Sequence, residues 1–318
     1  SGGGPGSGIG LAASGNSTIE SHYPARDQRE VPRNTRIAIT FRDYINVADI
    51  IASNGHINTD NVKIYKSNDN NTILHSPNLI ASTTDNRTFR FIQEQPYMGS
   101  PSENVWYTVE LTGDIRKANG EDLFSFGSGY AWQFELSTSI DNTPPKIVSI
   151  VPQASSTEPR NVVIQMNFNE AIDPISASGP TTMFNNIRVN SGPLLAGGFF
   201  ISNQYRTVEF LTNDQCATSS CGTAIYCLPG NADIQVLAKA ATLLDPGSGS
   251  AAGGNDGIVD MAGNSLDGNS DNIAEGPTAP PLNLPAYNPA TPNMATSSDD
   301  YTWEFNTTNV IDVTAPTI

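Results

Sequence analysis

The side chains best suited to chemistry in this sequence are the Asp and Asn residues of one loop, residues 255–271. Their oxygens recur at short spacings, and calcium is a hard cation that takes about six to eight oxygen ligands. The loop therefore predicts a calcium site. The other interpretation is a series of turns in which these side chains bind nearby backbone groups. The candidate ligands are Asp256, Asp260, Asn264, Asp267, Asn269 and Asp271.

Two other places in the chain offer weaker calcium ligands. Asp141 and Asp312 each open a segment that joins one part of the chain to the next. Calcium at these joints would follow the pattern of cadherin-like linkers.

The three cysteines, Cys216, Cys221 and Cys227, lie within one loop. Thiolates can bind zinc, but these form no Cys-x-x-Cys pair and have no fourth ligand nearby, which disfavours a zinc site. One disulfide is the better interpretation for an extracellular protein. It would join Cys221 to Cys227 or Cys216 to Cys227, and the sequence does not choose between these pairings.

Signatures of catalysis are missing elsewhere in the sequence. None of the three histidines, His22, His56 and His75, has the spacing of a metalloprotease motif. The chain has no Gly-x-Ser-x-Gly nucleophile motif and no phosphate-binding Gly-Lys loop. A carboxylate pair for glycoside hydrolysis is conceivable in an acidic chain, but nothing singles one out. We therefore expect no enzyme activity and no cofactor other than calcium.

The composition indicates a protein of strands and turns. Only 15% of the 318 residues are charged and 37% are hydrophobic, and the remainder is rich in Ser, Thr, Asn, Gly and Pro. The 32 acidic and 16 basic residues give a formal net charge of −16. Such a surface repels phosphate backbones, so we expect no nucleic-acid partner. No apolar run approaches the roughly 18 residues of a transmembrane helix.

An internal repeat supplies the elements that must position these side chains. Residues 32–41 match residues 159–168, and in both copies apolar and polar residues alternate, which is typical of a strand with one buried face. A Tyr-x-Trp-x-Phe motif also recurs, at 130–134 and 301–305. The same pattern of strands is therefore expected twice.

Each repeat offers about seven short runs separated by turn residues, a pattern typical of an antiparallel sandwich. The predicted fold is all-β, with two tandem Ig-like sandwich domains. The predicted parts are a Gly-rich N-terminal arm (1–16), a first domain (17–140), a second domain (141–311) with a long insertion at about 245–300, and the start of a further repeat or an exchanged strand (312–318).

Four motifs follow one another in the second repeat: Thr143 to Ile147, Ile164 to Asp173, Asp260 to Leu266, and Trp303 to Phe305. Together they resemble the bacterial Ig-like domain of the S-layer-protein type, and the likeness extends over nearly the whole chain after residue 17. The first repeat departs from it, since Arg42 and Asp43 stand where the second repeat has Asn169 and Glu170. The resemblance implies an extracellular module, usually in tandem, without catalytic residues.

These features predict a non-catalytic extracellular structural protein whose modules form a cell-surface rod, lattice or filament. Identical chains would associate through the terminal strand or the N-terminal arm, because a strand added to an open sheet edge gains backbone hydrogen bonds. The alternative is an adhesin or a carbohydrate-binding spacer of a secreted multidomain protein, with a cell-surface or glycan partner. The Gly-rich start is also similar to the tether of a bacterial lipoprotein, which makes a lipid anchor through a preceding Cys a further expectation.

Overall fold

The structure is a computed structural model that divides into two compact units, Ser1–Ile140 and Asp141–Ile318, here the first and second units. The Gly-rich arm (1–16), His75 and most of the predicted terminal strand (312–318) lie outside the residues that it describes. Those residues are 18–69, 76–93, 96–182, 185–245, 249–252, 256–278 and 284–313.

The first unit is a sandwich of two antiparallel sheets. One sheet has the order β1-β2-β5-β4 and the other the order β3-β6-β7. A single core lies between them, where residues such as Phe89 meet residues such as Phe134. The elements are β1 (Ile19–Tyr23), β2 (Ile37–Phe41), α1 (Val47–Ile50), β3 (Val62–Lys66), β4 (Leu79–Thr83), β5 (Thr88–Gln93), β6 (Val105–Leu111) and β7 (Tyr130–Leu136).

The second unit repeats this architecture with additions. Its larger sheet has the order β11-β13-β14-β10-β8, and the facing sheet has the order β12-β17-β19-β18, with β9 beside β19. Strands β15 and β16 form a separate hairpin. The elements are β8 (Ile147–Val151), β9 (Thr157–Glu158), β10 (Ile164–Phe168), α2 (Pro174–Ala177), β11 (Gly179–Pro180), β12 (Ile187–Asn190), β13 (Gly197–Ser202), β14 (Thr207–Thr212), β15 (Gln215–Thr218), β16 (Ala224–Tyr226), β17 (Asp233–Ala238), β18 (Ala286–Tyr287) and β19 (Ser298–Thr307).

The all-β, Ig-like sandwich fold is as predicted, and the repeated motifs occupy equivalent strands. Trp132 on β7 and Trp303 on β19 are both buried in their cores. Strand β10 alternates between buried and half-buried residues, as its sequence predicts. Strand β2 departs from the prediction, because all five of its residues are buried. It lies between β1 and β5, and Thr88 and Arg90 on β5 are buried as well.

The insertion of the second unit contributes to its core. Ile258 and Leu266 are fully buried and belong to the same hydrophobic cluster as Trp303. Gly257 makes this packing possible, since a Cβ at this position would lie 2.1 Å from the carbonyl oxygen of Ala240. The segment around residues 256–270 is therefore fixed against the sandwich, which places its acidic side chains.

Candidate cation site in the second unit

Three carboxylates converge in the second unit. Asp141, Glu170 and Asp260 each have a carboxylate oxygen within 4.8 Å of the others, and we call these residues the acidic triad. Within the described ranges, no other set of three Asp, Glu, His or Cys residues brings its ligand atoms so close. The triad unites the start of the unit, the end of β10 and the insertion.

Glu170 is positioned by the turn between β10 and α2. The helix α2 is a single turn, which begins with Pro174 and is capped by Asp173, whose carboxylate accepts the N–H of Ile175 at 2.9 Å. The backbone N–H of Asp173 donates to the carbonyl of Val259 at 2.9 Å. The turn is therefore attached to the insertion directly beside Asp260.

Asp260 and Asn264 form a turn that ties the insertion to the start of the unit. The Oδ1 atom of Asp260 accepts the backbone N–H groups of Ala262 and Asn264, both at 2.8 Å. The amide of Asn264 donates to Asp260 Oδ2 at 2.8 Å. The same amide lies 3.3 Å from the carbonyl oxygens of Asp141 and Thr143. These carbonyls and the triad form an oxygen-rich site.

The triad concentrates negative charge at a partly buried place, since Asp260 is buried and Asp141 and Glu170 are half-buried. Burial, followed by the charges of Asp260 and Asp141, raises the pKa of Glu170 to about 8, and Arg206 opposes this rise only in part. Burial, assisted by Asp141, raises the pKa of Asp260 to about 6 against the hydrogen bonds from Asn264. Buried charge is normally paired or bound to a metal ion, so protons or a cation would stabilise these carboxylates.

The first unit has a lysine at the place of Asp260. Ile45 forms a bridge with Lys117 in the first unit, as Ile172 does with Asp260 in the second. The position two residues before these isoleucines is Asp43 in the first unit and Glu170 in the second. The two turns are therefore equivalent in backbone and share an acidic residue, but the first has the positive Lys117 where the second has the negative Asp260.

Lys117 pairs with the acidic residues of its own turn. Its Nζ atom lies 3.2 Å from Asp43 Oδ2 and 3.8 Å from Glu121 Oε2. The first unit therefore supplies its own cation at this place. The second unit has the carboxylate of Asp260 there, so its negative charge is left to be balanced by protons or by a cation from solution.

The six candidate ligands of the loop fall into three places. Asp260 and Asn264 belong to the site above. Asp256 is exposed, and its carboxylate accepts the backbone N–H and the hydroxyl of Thr242 at 3.2 and 2.6 Å. The remaining three lie farther along the insertion, at a separate place: Asp267, Asn269 and Asp271.

Two residues of the triad lie outside the predicted loop. From the sequence, Asp141 is expected only as a weak linker ligand, and Glu170 is not among the expected ligands. Both carried a signal, because Asp141 opens a recurring segment and Glu170 belongs to the Phe-Asn-Glu motif that marks the resemblance. The other joint residue, Asp312, is bound through its backbone to the side chain of Asn161.

The disulfide joins Cys216 to Cys227, whose Cα atoms are 5.7 Å apart. This replaces the other predicted pairing, Cys221 with Cys227. The physical reason is the hairpin of β15 and β16, which brings its two ends together and leaves Cys221 exposed near its turn. A disulfide of this kind persists in oxidising compartments.

Several solved structures are similar to this chain at low sequence identity. A chimeric titin Z1Z2 is 11% identical and covers 70% of this chain and 90% of its own, with a TM-score of 0.23. The S-layer protein SbsC is 8% identical and covers 69% of this chain and 38% of its own, at 0.24. The human desmocollin-1 ectodomain is 12% identical and covers 93% of this chain and 42% of its own, at 0.19. At these scores the likenesses carry no argument about function.

Sequence comparison finds a family match within the first unit. No curated protein matches the chain. Among the described residues, no helix is long and apolar enough to cross a membrane. Residues 14–136 match the family model of the bacterial Ig-like domain, and the first unit is therefore similar in sequence, as well as in fold, to that domain.

Proposed function

We propose that this chain is a non-catalytic, extracellular structural protein in which a calcium ion at the acidic triad stabilises the second unit. Bacterial Ig-like domains are typically non-catalytic and often extracellular, and residues 14–136 match that family. The Cys216–Cys227 disulfide supports an oxidising environment. The observation that carries the calcium site is the exchange of Lys117 for Asp260 at equivalent turns.

The ligands of the site favour calcium over other metal ions. All of its ligands are oxygens, supplied by carboxylates and backbone carbonyls, and hard cations prefer such ligands. Calcium accepts irregular arrangements of oxygens, whereas magnesium requires a near-ideal octahedron. Extracellular modules bind calcium with dissociation constants of about 10⁻⁴ to 10⁻³ M, which matches a structural ion outside the cell.

Calcium titration of the chelator-treated full chain by isothermal calorimetry tests the site. We expect Glu170→Gln and Asp260→Asn each to lose one bound ion relative to wild type. Asp256→Asn is the matched control, because it makes the same charge change in the same insertion outside the triad. Unchanged stoichiometry in both triad variants would overturn the assignment.

At the level of the whole protein, we propose that the tandem modules form a surface rod, lattice or filament of S-layer kind by self-association. Electron microscopy of purified protein, with calcium and with chelator, tests this proposal. We expect filaments or sheets with calcium and their loss with chelator. Isolated particles in both conditions would contradict self-assembly and favour an adhesin or spacer, for which a glycan array is the next experiment.

The extracellular location has its own test. We expect an antibody to label the protein on intact, unpermeabilised cells, and an added protease to remove that label. A signal that appears only after lysis would contradict the proposed location.

A further inference from the structure

A second acidic group in the same unit contains buried carboxylate oxygens without partners. Asp267 and Asp299 are each 1% exposed. In both residues the Oδ1 atom is buried and has no hydrogen-bond partner. Buried polar atoms are almost always paired, and an unpaired buried carboxylate oxygen is costly. These two atoms therefore indicate a missing electropositive partner.

The backbone brings the two residues together. A Cβ at Gly268 would lie 2.1 Å from the carbonyl oxygen of Asp299 and 3.3 Å from the Cβ of Tyr301. The chain at Gly268 is therefore pressed against the start of β19. Asp267 precedes this glycine directly, and its charge acts on the carboxylate of Asp299.

Glu275 adds a third carboxylate to this place, and we call Asp267, Glu275 and Asp299 the second acidic group. The backbone N–H groups of Glu275 and Gly276 donate to Asp299 Oδ2 at 2.8 and 2.7 Å. The amide of Asn269 lies 3.4 Å from Glu275 Oε2. Burial, followed by the charge of Glu275 and a hydrogen bond with its side chain, raises the pKa of Asp299 to about 8, and the charge of Asp267 adds to this rise.

Among the described residues, Lys146 forms an ion pair with this group, and it contacts Asp267 alone of the three. The Nζ atom of Lys146 lies 3.2 Å from Asp267 Oδ2 and 2.7 Å from Asn272 Oδ1. The backbone N–H of Asn272 also donates to Asp267 Oδ2, at 3.0 Å. The donors therefore occupy the Oδ2 atoms of Asp267 and Asp299 and leave the Oδ1 atoms without partners.

We propose that a hard divalent cation of the calcium class binds between the Oδ1 atoms of Asp267 and Asp299, with Glu275 supplying further negative charge. The site is separate from the acidic triad and shares no carboxylate with it, so either site can fail without the other. It offers oxygen ligands but no thiolate or imidazole, which is the donor set of a hard cation. The competing arrangement is a proton shared between Asp299 and Glu275.

Calcium titration of the full chain by calorimetry, after removal of metal with a chelator, tests the proposal. We expect two calcium ions per wild-type chain, one in Asp299→Asn and one in Glu170→Gln, but two in the control Asp256→Asn. Glu275→Gln, at a half-buried position, is the second variant if Asp299→Asn fails to fold, and we expect it to weaken one of the two binding events at least tenfold.

Two results would overturn the second site and leave the triad standing. One is a single bound ion in wild type that Glu170→Gln abolishes and Asp299→Asn retains. The other is two bound ions, with unchanged affinities, in wild type, Asp299→Asn and Glu275→Gln alike. In either case a shared proton is the partner of Asp299. Loss of one ion in Asp299→Asn with unchanged binding in Glu170→Gln would support the second site and contradict the triad.

Discussion

Single residues determine how each unit balances the acidic charge at the equivalent turn. Asp43 and Glu170 occupy equivalent places, but Lys117 faces the former and Asp260 the latter. The side chains that form the ion pairs of Lys117 are half-exposed or exposed, and ion pairs in such positions contribute little to stability. The triad is less exposed to water, so the way its charge is balanced has a greater effect on the second unit.

The pH dependence of stability follows from these carboxylates. In the unfolded chain Glu170 and Asp260 titrate near their ordinary pKa values of 4.5 and 3.8, whereas in the metal-free fold the values are about 8 and 6. At pH values between the ordinary and the raised pKa of each group, the native state therefore binds more protons than the unfolded chain. The free energy of unfolding falls as pH rises through that window. Calorimetry in chelator should show a lower melting temperature at pH 8 than at pH 5.5.

Calcium should remove this fall, because it binds the deprotonated carboxylates and competes with protons. The double variant Glu170→Gln, Asp260→Asn is the control, and its stability in chelator should depend less on pH. An identical pH trend with saturating calcium and with chelator would contradict the assignment of the triad as ligands.

At the scale of elements, the hairpin of β15 and β16 is closed by the only disulfide among the described residues. Its cysteines are 11 residues apart. Closing a loop of about 15 residues destabilises the unfolded state by about 3 kcal/mol, because it removes conformational entropy. We expect Cys216→Ala with Cys227→Ala to lower the free energy of unfolding of the second unit by about 2–3 kcal/mol. Urea unfolding measures this loss.

Cys221 provides the matched control, because it is exposed and outside the disulfide. Cys221→Ala should change the free energy of unfolding by less than about 0.5 kcal/mol, as is usual for surface substitutions. A thiol reagent should also find one reactive thiol per native chain. A loss as large as that of the double variant would contradict the pairing.

The close approach at Gly268 supports a prediction about packing. Gly268→Ala forces a methyl group against the carbonyl of Asp299, so we expect it to destabilise the second unit by about 1–3 kcal/mol, typical of overpacking. We also expect it to abolish one calcium-binding event. Gly198→Ala is the control, because its nearest contacts are at 3.4 Å, an ordinary separation. Equal effects of the two variants in denaturant unfolding would contradict the close approach.

The alternation of β10 sufficed to predict that strand, because side chains on one face of a sheet share one environment. The loop 255–271 was harder to interpret. Its Asp and Asn spacing showed that oxygens were close along the chain, but the path of the chain separates them. The packing of Gly257 and Gly268 directs Asp260 and Asp267 to different neighbours. Glu170 and Asp299 come from the ends of distant strands, which spacing along the chain cannot reveal.

For the whole molecule, the two units should respond differently to calcium. Among the described residues, the one set of three carboxylates with oxygens close enough to share a cation lies in the second unit, while Lys117 provides positive charge at the equivalent place in the first. Hydrogen exchange of the full chain, measured by mass spectrometry with calcium and with chelator, should show calcium-dependent protection confined to residues 141–313. Peptides of the first unit act as the internal control, and equal protection in both units would contradict the assignment.

The amide of Asn264 also bears on how the second unit folds. It joins the insertion to the carbonyl of Asp141, a residue 123 positions earlier in the chain. Contacts across so long a separation form late, because the closure of a long loop must precede them. The triad is thus completed only when most of the unit is in place. Calcium bound there should slow unfolding while leaving the rate of folding nearly unchanged, as expected for interactions absent from the transition state.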